Sequence, residues 1–175
     1  ELFRAHLRSA RNMTDELQAL TLAIEHDVDP ELAAALVGFH ARWRTDPLVL
    51  NKWFSVQAMA SRFETPERVR TLLEHPDFSL RNPNRVRALI AAFATGNPLR
   101  FHRADGAGYR LLADAVLQLD RINPQVAARI LLPLTRWRRH TGDRPQLMRR
   151  QLERIEKAPM LSKDVAEVAS KGLAE

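Results

Sequence analysis

The sequence contains no cysteine, only six glycines, a single tyrosine and no long apolar run. The absence of cysteine excludes a disulfide framework, a thiolate zinc site and a cysteine nucleophile. The scarcity of glycine and tyrosine disfavours a turn-rich all-β chain, and no apolar run approaches the ~20 residues of a membrane span. Of the 175 residues, 45% are hydrophobic and 27% are charged, which is typical of a soluble globular protein.

The first residues lack the features of a natural start. Glu1 is not an initiator methionine, and no signal segment with a charged and then an apolar region follows it. Leu2, Phe3 and Leu7 have helical spacing from the outset. The sequence is therefore interpreted as a piece of a longer polypeptide, whose chemistry could lie in the missing part.

Charge is distributed unevenly along the chain. The net charge is +6, from 27 lysines and arginines against 21 acidic residues. Residues 1–60 carry a net −2, whereas residues 81–150 hold 14 basic and 4 acidic side chains, a net +10. A stretch this basic attracts an anionic ligand or an acidic protein surface.

Capping residues followed by proline recur along the sequence and predict helix starts. A side chain that accepts a hydrogen bond from the first turn, with proline next to it, is a helix N-terminus signal. The pairs are Asp29-Pro30, Asp46-Pro47, Thr65-Pro66, Asn82-Pro83 and Asn123-Pro124, and Ser162 is a further cap. Apolar residues then step by three or four along nine stretches, without two-residue alternation, which predicts an all-α chain.

The spacing of these starts predicts a repeat. The prolines at 30, 47, 66 and 83 are 17, 19 and 17 residues apart, so two helices and two turns take about 36 residues. We expect a single domain over residues 1–175, built as a right-handed stack of antiparallel helical hairpins. This HEAT/armadillo-like α-solenoid would be superhelical, with about nine to eleven helices and a concave side. The regular spacing of helix starts breaks between residues 95 and 108, which are predicted to form the longest loop, with room for one extra turn at Leu99–His102.

Motifs for catalysis or metal binding are missing from the sequence. The six histidines lie at positions 6, 26, 40, 75, 102 and 140, none within five residues of another, and no H-E-x-x-H occurs. The G-x-S-x-G of serine hydrolases is also absent. Gly106-Ala-Gly108 lacks the third glycine and the preceding strand of a dinucleotide loop. We therefore predict no catalytic residue, no metal ligand and no cofactor in these 175 residues.

The helix predicted from Pro124 to about His140 carries the candidate site. On a helical projection, Gln125 and Arg129 share the side opposite Ala127 and Ile130, and they are i,i+4 neighbours. Pro133 cannot donate to the Arg129 carbonyl, so the helix is expected to bend there. A glutamine beside an arginine could hold a peptide carbonyl and a carboxylate, although an ordinary exposed polar face would look the same.

Four ordered segments resemble one protein family. They are DPLVLNKWF (46–54), NPNRVRALIAAF (82–93), FH with DGAGY (101–109) and NPQVAAR (123–129). In this order they are similar to the C-terminal helical domain of bacterial aminopeptidase N, the zinc alanyl-aminopeptidase of the gluzincin type. The resemblance covers most of the chain, from about residue 12 to residue 175.

This resemblance implies a role beside a catalytic domain. The parent enzyme would remove N-terminal residues from peptides in the cytoplasm, with its zinc and catalytic groups in an upstream domain of the same chain. The helical domain would cap that domain, wall an internal cavity and restrict access to small peptides. Gln125 and Arg129 would line the cavity on the side of the downstream substrate residues. Arg85 and Arg87 match the family pattern and have only a structural interpretation.

An alternative remains open at this point. Basic and aromatic residues mix at 136–140, and further arginines follow, so the chain could be a free-standing helical-repeat module for acidic protein or nucleic acid. The simpler interpretation places Trp137 on the core stripe and the arginines on a solvated face. Nucleic acid is the less favoured partner, and no membrane partner is expected.

Overall fold

The computed structural model describes residues 5–6, 9–26 and 30–174, and no β-strand occurs within them. The helices are α1 (Met13–His26), α2 (Pro30–Trp43), α3 (Pro47–Ala58), α4 (Thr65–Leu73), α5 (Pro83–Val86), α6 (Ala92–Gly96), α7 (Pro98–Phe101), α8 (Ala107–Asp120), α9 (Pro124–Thr135), α10 (Arg144–Glu156) and α11 (Lys163–Ala174). A π-helical turn, Arg87–Ala91, joins α5 to α6, and a 3-10 turn, Trp137–Arg139, follows α9. The predicted all-α class is confirmed.

Most of the predicted helix caps hold their helices as expected. Asp46 accepts hydrogen bonds from two N–H groups of the first turn of α3, and Asn82 does the same for α5. Asn123 accepts one from the first turn of α9. Ser162 accepts one from the Val165 N–H at 3.3 Å. Asp29 lies outside the described residues.

The cap predicted at Thr65 is wrong. Thr65 is the first residue of α4, and Glu64 occupies the N-cap position without a side-chain hydrogen bond. The Thr65 hydroxyl instead donates to the Ala60 carbonyl at 2.8 Å, and the residue is buried. This tertiary bond satisfies the hydroxyl, so it is not available to the helix end.

Residues 95–108 are not the longest loop, although the extra turn expected at Leu99–His102 is present as α7. Residues 95–108 include the end of α6, all of α7 and the start of α8, with Asn97 capping α7. Among the described residues, the longest stretch without a helix is 74–82, which is closed by successive backbone turns. The helix expected to reach His140 ends at Thr135. Trp137 lies in the following 3-10 turn, and it is half-buried and packs against the core as expected.

Consecutive helices pack against each other around one continuous core. A single cluster of buried apolar side chains extends from Leu20 to Ala169. Helix α3 contacts α1, α2 and α4, and α9 contacts α8, α10 and α11, so each helix buries its stripe against its neighbours. Within the ranges the structure describes, no helix combines the length and the apolar character needed to cross a membrane.

A histidine packs over the turn between α7 and α8. The buried Tyr109 hydroxyl lies 2.9 Å from Nδ1 of His102, and the His102 and His140 rings are 4.2 Å apart between centroids. Burial is the main cause that lowers the pKa of His102 to about 4, and the nearby His140 and Arg144 contribute to the same shift. Burial also raises the pKa of Tyr109 to about 12, so its hydroxyl is protonated at neutral pH.

The low pKa of His102 makes stability depend on pH. In the unfolded chain His102 takes up a proton below its ordinary pKa of 6.5, whereas in the fold it stays neutral down to about 4. Stability should be intact above pH 6.5 and decline by about 2 kcal/mol towards pH 4, after allowing for partial exposure. Chemical denaturation of wild type and His102→Gln should show a stability difference that shrinks over this range. The exposed His6→Gln serves as control, and a pH-independent difference for His102→Gln would contradict the prediction.

Candidate functional site

A cleft of about 300 Å³ lies between α9 and the segment formed by the π-helical turn and α6. Gln125 and Arg129 line it from α9, and Arg87 lines it from the π-helical turn. Small and apolar side chains form the rest of its wall: Ala91, Ala94, Thr95, Val126, Ile130 and Pro133. The structure thus brings both sequence-predicted residues to one concave surface.

The sequence of α9 explains why these two side chains face outward. Apolar residues at helical spacing turn one side of the helix into the core, where Ala127 and Leu131 are fully buried. Gln125 and Arg129 are exposed and one turn apart, so their ends can reach the same ligand. Pro133 sits inside the helix and contributes a rigid apolar edge to the cleft.

Arg87 is a site residue that sequence reasoning did not identify. It begins the π-helical turn, whose wider winding changes the direction of the side chains that follow. The turn is supported by the Ser55 hydroxyl, which donates to the Ala88 carbonyl at 2.8 Å. π-Helical turns often occur at functional sites. The match of Arg87 to the family pattern was the only signal that could have pointed to it.

The cleft is cationic and its polar groups are available. Among the described residues that line it, two are arginines and none is a carboxylate. Within the described part of the chain, the Gln125 amide and the Arg129 guanidinium form no hydrogen bond or ion pair, and Arg87 bonds only the Asn84 side chain at 2.9 Å. Such a surface can bind a carboxylate through charge-assisted hydrogen bonds. None of the described lining residues is a histidine, a lysine or a carboxylate.

Arg85 has a different environment from Arg87, although the two are adjacent in the pattern. It is only 7% exposed and donates to the carbonyls of Asp77 and Pro47, at 3.2 Å and 3.1 Å, and to the Asn51 side chain. Burial lowers the pKa of Arg85, and the nearby Asp77 opposes that shift. Arg85 therefore ties α3, α5 and the 74–82 segment together, and it does not reach the cleft.

Several arginines of the basic stretch 81–150 are committed to contacts within the fold. Arg138 lies 3.9 Å from the Trp137 ring centroid and donates to carbonyls at the end of α11. Arg103 pairs with Glu67 and Asp105, both at 2.7 Å, and its hydrogen bonds lower the pKa of each carboxyl. Arg144 donates to the His102 carbonyl at 2.9 Å. These three of the 14 basic side chains in the stretch are thus engaged within the fold and are less available to phosphate groups.

Comparison with known proteins decides the family. A family model described as "Domain of unknown function (DUF3458_C) ARM repeats" matches residues 1–174. The chain belongs to this ARM-repeat family. The match agrees with the stack of helices seen in the structure and confirms the predicted solenoid class.

Relatives of this ARM-repeat domain are aminopeptidases. The chain is 50% identical over 168 residues to aminopeptidase N of Caulobacter vibrioides, which covers 96% of this chain and 19% of that protein. It is 40% identical over 173 residues to aminopeptidase N of Escherichia coli, covering 99% of this chain and 20% of that protein. The resemblance to aminopeptidase N drawn from the four sequence segments is confirmed.

A solved structure gives the same result for the fold. Legionella pneumophila aminopeptidase A, determined in complex with aspartic acid, superposes with a TM-score of 0.91 at 38% identity. The match covers 99% of this chain and 20% of that chain. The ARM-repeat domain therefore spans about a fifth of the length of the relatives it matches, and it corresponds to their C-terminal part.

Proposed function

We propose that this ARM-repeat domain is the C-terminal domain of a zinc-dependent aminopeptidase that removes N-terminal amino acids from peptides. In that enzyme the domain caps the catalytic domain, walls the internal cavity and positions the substrate. The parent enzyme acts in the cytoplasm. The domain's partners are the catalytic domain of its own chain and the peptide substrates.

The observation that carries this proposal is the cleft with unpartnered Gln125 and Arg129 on its rim. A peptide bound by its N-terminus elsewhere presents carbonyl groups and a C-terminal carboxylate on its downstream side. The Gln125 amide can donate to a carbonyl, and the Arg129 guanidinium can pair with the carboxylate. Arg87, across the same cleft, adds a second positive charge and strengthens the attraction for an anionic end.

The domain supplies binding and no bond-breaking chemistry in this proposal. The sequence has no H-E-x-x-H, so the zinc ligands and the general base belong to the catalytic part of the parent chain. The domain's contribution is orientation, because holding the far end of a peptide fixes where its scissile bond lies. The isolated 175-residue chain is accordingly expected to hydrolyse no peptide.

The role of Arg129 can be measured in the full-length enzyme. Arg129→Ala should raise KM for tri- and tetrapeptides by roughly tenfold, because a charge-assisted contact to the substrate carboxylate contributes about 1.5 kcal/mol. A single-residue chromogenic amide has no downstream residues, so its KM should stay nearly unchanged. Steady-state kinetics on the two substrate classes makes the comparison.

A matched control is available on α10. Arg150 is exposed and does not line the cleft, so Arg150→Ala tests whether loss of any surface arginine has the same effect. It should leave both KM values unchanged. Equal increases for the peptides and for the chromogenic amide in Arg129→Ala would refute a role beyond the scissile bond.

A further inference from the structure

Three side chains with metal-ligand chemistry meet at the edge of a second cleft. His40 comes from α2, and His75 and Asp77 come from the segment that follows α4. One donor atom from each residue lies within 4.8 Å of the other two. Nε2 of His40 is 2.7 Å from Oδ2 of Asp77, and the two imidazole rings are 5.0 Å apart between centroids.

Backbone contacts hold the loop half of this cluster in place. Inside the His75-Pro76-Asp77 turn, the Asp77 N–H donates to Nδ1 of His75 at 3.1 Å. The Phe78 N–H closes the turn on the His75 carbonyl at 2.8 Å. Arg85 donates to the Asp77 carbonyl at 3.2 Å and so leaves the Asp77 carboxylate to the cluster. The backbone of His75 and Asp77 is therefore held in position by contacts within the protein alone.

The indole of Trp53 supports both rings from the α3 side. Its centroid lies 4.9 Å from that of His40 and 5.2 Å from that of His75. The indole N–H is bonded to the Leu36 carbonyl at 3.0 Å, which fixes the ring. A cleft of about 590 Å³, lined by both histidines and by Trp53, gives access to the cluster from solvent.

Two imidazoles and a carboxylate are a donor set that suits zinc and its neighbours in the first transition series. Tetrahedral zinc with ligand bonds of 2.0–2.1 Å would place its donor atoms about 3.3 Å apart. The His40–Asp77 pair would open by about half an ångström, and His75 would move inward by ~1.5 Å at most. His75 would bind the ion through one ring nitrogen, and a water could complete the coordination.

Two nearby cations act against a divalent ion and set a limit on its affinity. Arg85 is held by carbonyl groups, and Arg68 is held by the Gln57 side chain at 2.6 Å and 2.9 Å. Neither forms a hydrogen bond with the Asp77 carboxylate within the described part of the chain. Binding would therefore depend on the inner-sphere imidazole bonds, which favours Zn²⁺ over Mg²⁺ or Ca²⁺.

We propose that His40, His75 and Asp77 form a binding site for a divalent transition metal ion of the zinc type. The ion would join α2 to the segment after α4, and it would have no catalytic task. This departs from the sequence-based prediction of no metal ligand, because 35 residues separate the two histidines along the chain. The site does not depend on the aminopeptidase proposal.

Isothermal titration of the untagged, metal-free chain with ZnCl₂ at neutral pH tests the site. We expect saturable binding of one equivalent, and Co²⁺ in its place should give the visible absorption of a four-coordinate ion. His40→Ala, His75→Ala and Asp77→Asn should each weaken binding at least tenfold, because each removes one ligand. Far-UV circular dichroism confirms that each variant remains helical.

The control pair is His102→Gln and His140→Gln. These two rings are also in contact, at 4.2 Å between centroids, and they are not part of the three-residue cluster, so both variants should bind zinc like wild type. Counting metal equivalents in the full-length polypeptide repeats the test, where His75→Ala should hold one fewer than wild type. Absence of saturable binding, or an unchanged affinity in His75→Ala, would show that the cluster is only a structural contact and overturn the proposal.

Discussion

Replacing Gly108 with alanine is expected to lower the free energy of unfolding by about 3 kcal/mol. Gly108 is the second residue of α8, and a Cβ built on it lies 2.3 Å from the Phe101 carbonyl oxygen. The Phe101 carbonyl carbon and Cα are also only 2.9 Å away. These are backbone atoms and cannot swing aside as a flexible side chain could, so α7 and α8 would have to separate.

The surroundings of Phe101 make that separation costly. Its ring is fully buried and meets Phe93 and Tyr109 edge to face, at 5.8 Å and 5.3 Å between centroids. Moving the Phe101 backbone would disturb both contacts and leave space in a close-packed interior. Only residues 102–106 connect α7 to α8, so few backbone torsion angles are available to absorb the shift.

Gly38→Ala is the matched control for this substitution. Gly38 is exposed inside α2, and an added Cβ meets nothing within 4 Å. Alanine there should stabilise the fold by about 0.5–1 kcal/mol, because glycine is entropically unfavourable in a helix interior. Urea denaturation of both variants measures the two opposite shifts. A Gly108→Ala protein within 0.5 kcal/mol of wild type would contradict the clash.

Local pattern was sufficient to predict the all-α class, most of the helix starts and the exposed face of α9. The Asp46-Pro47 and Asn123-Pro124 pairs specify helix starts through contacts within one turn, which any sequence window contains. The same periodicity separates Gln125 and Arg129 from the buried Ala127. Both features are determined by interactions between residues a few positions apart, so they can be predicted directly from the sequence.

Features set by contacts between distant segments could not be predicted in this way. The Thr65 hydroxyl donates to the Ala60 carbonyl and does not cap its own helix. Arg87 reaches the cleft from a π-helical turn, which apolar periodicity does not predict. The approach of His40 to His75 is a tertiary contact between α2 and the segment after α4. Sequence motifs for metal sites describe ligands that are close together in one helix or loop. They therefore do not detect a cluster whose ligands come from distant segments.

The Arg85 side chain connects the 74–82 segment to helix α3. Its guanidinium binds a carbonyl in the first turn of α3, a side chain one turn further on, and the Asp77 carbonyl. It also lies 5.5 Å from the centroid of the Phe54 ring. These bonds are part-buried, so each acceptor left without a donor costs at most the ~1–3 kcal/mol of a fully buried group, but the loss of this one residue affects all three together.

Arg85→Met should therefore lower the free energy of unfolding by about 3 kcal/mol. Methionine keeps much of the apolar stem but donates to none of the acceptors, whereas Arg85→Lys retains one donor and should lose about half as much. The neighbouring Arg87→Met is the control, because Arg87 is exposed and its loss should change stability by less than 0.5 kcal/mol. Urea denaturation ranks the three variants. Similar stabilities for Arg85→Met and Arg87→Met would mean that water or neighbouring groups replace the buried guanidinium, and the junction would then be held by apolar packing alone.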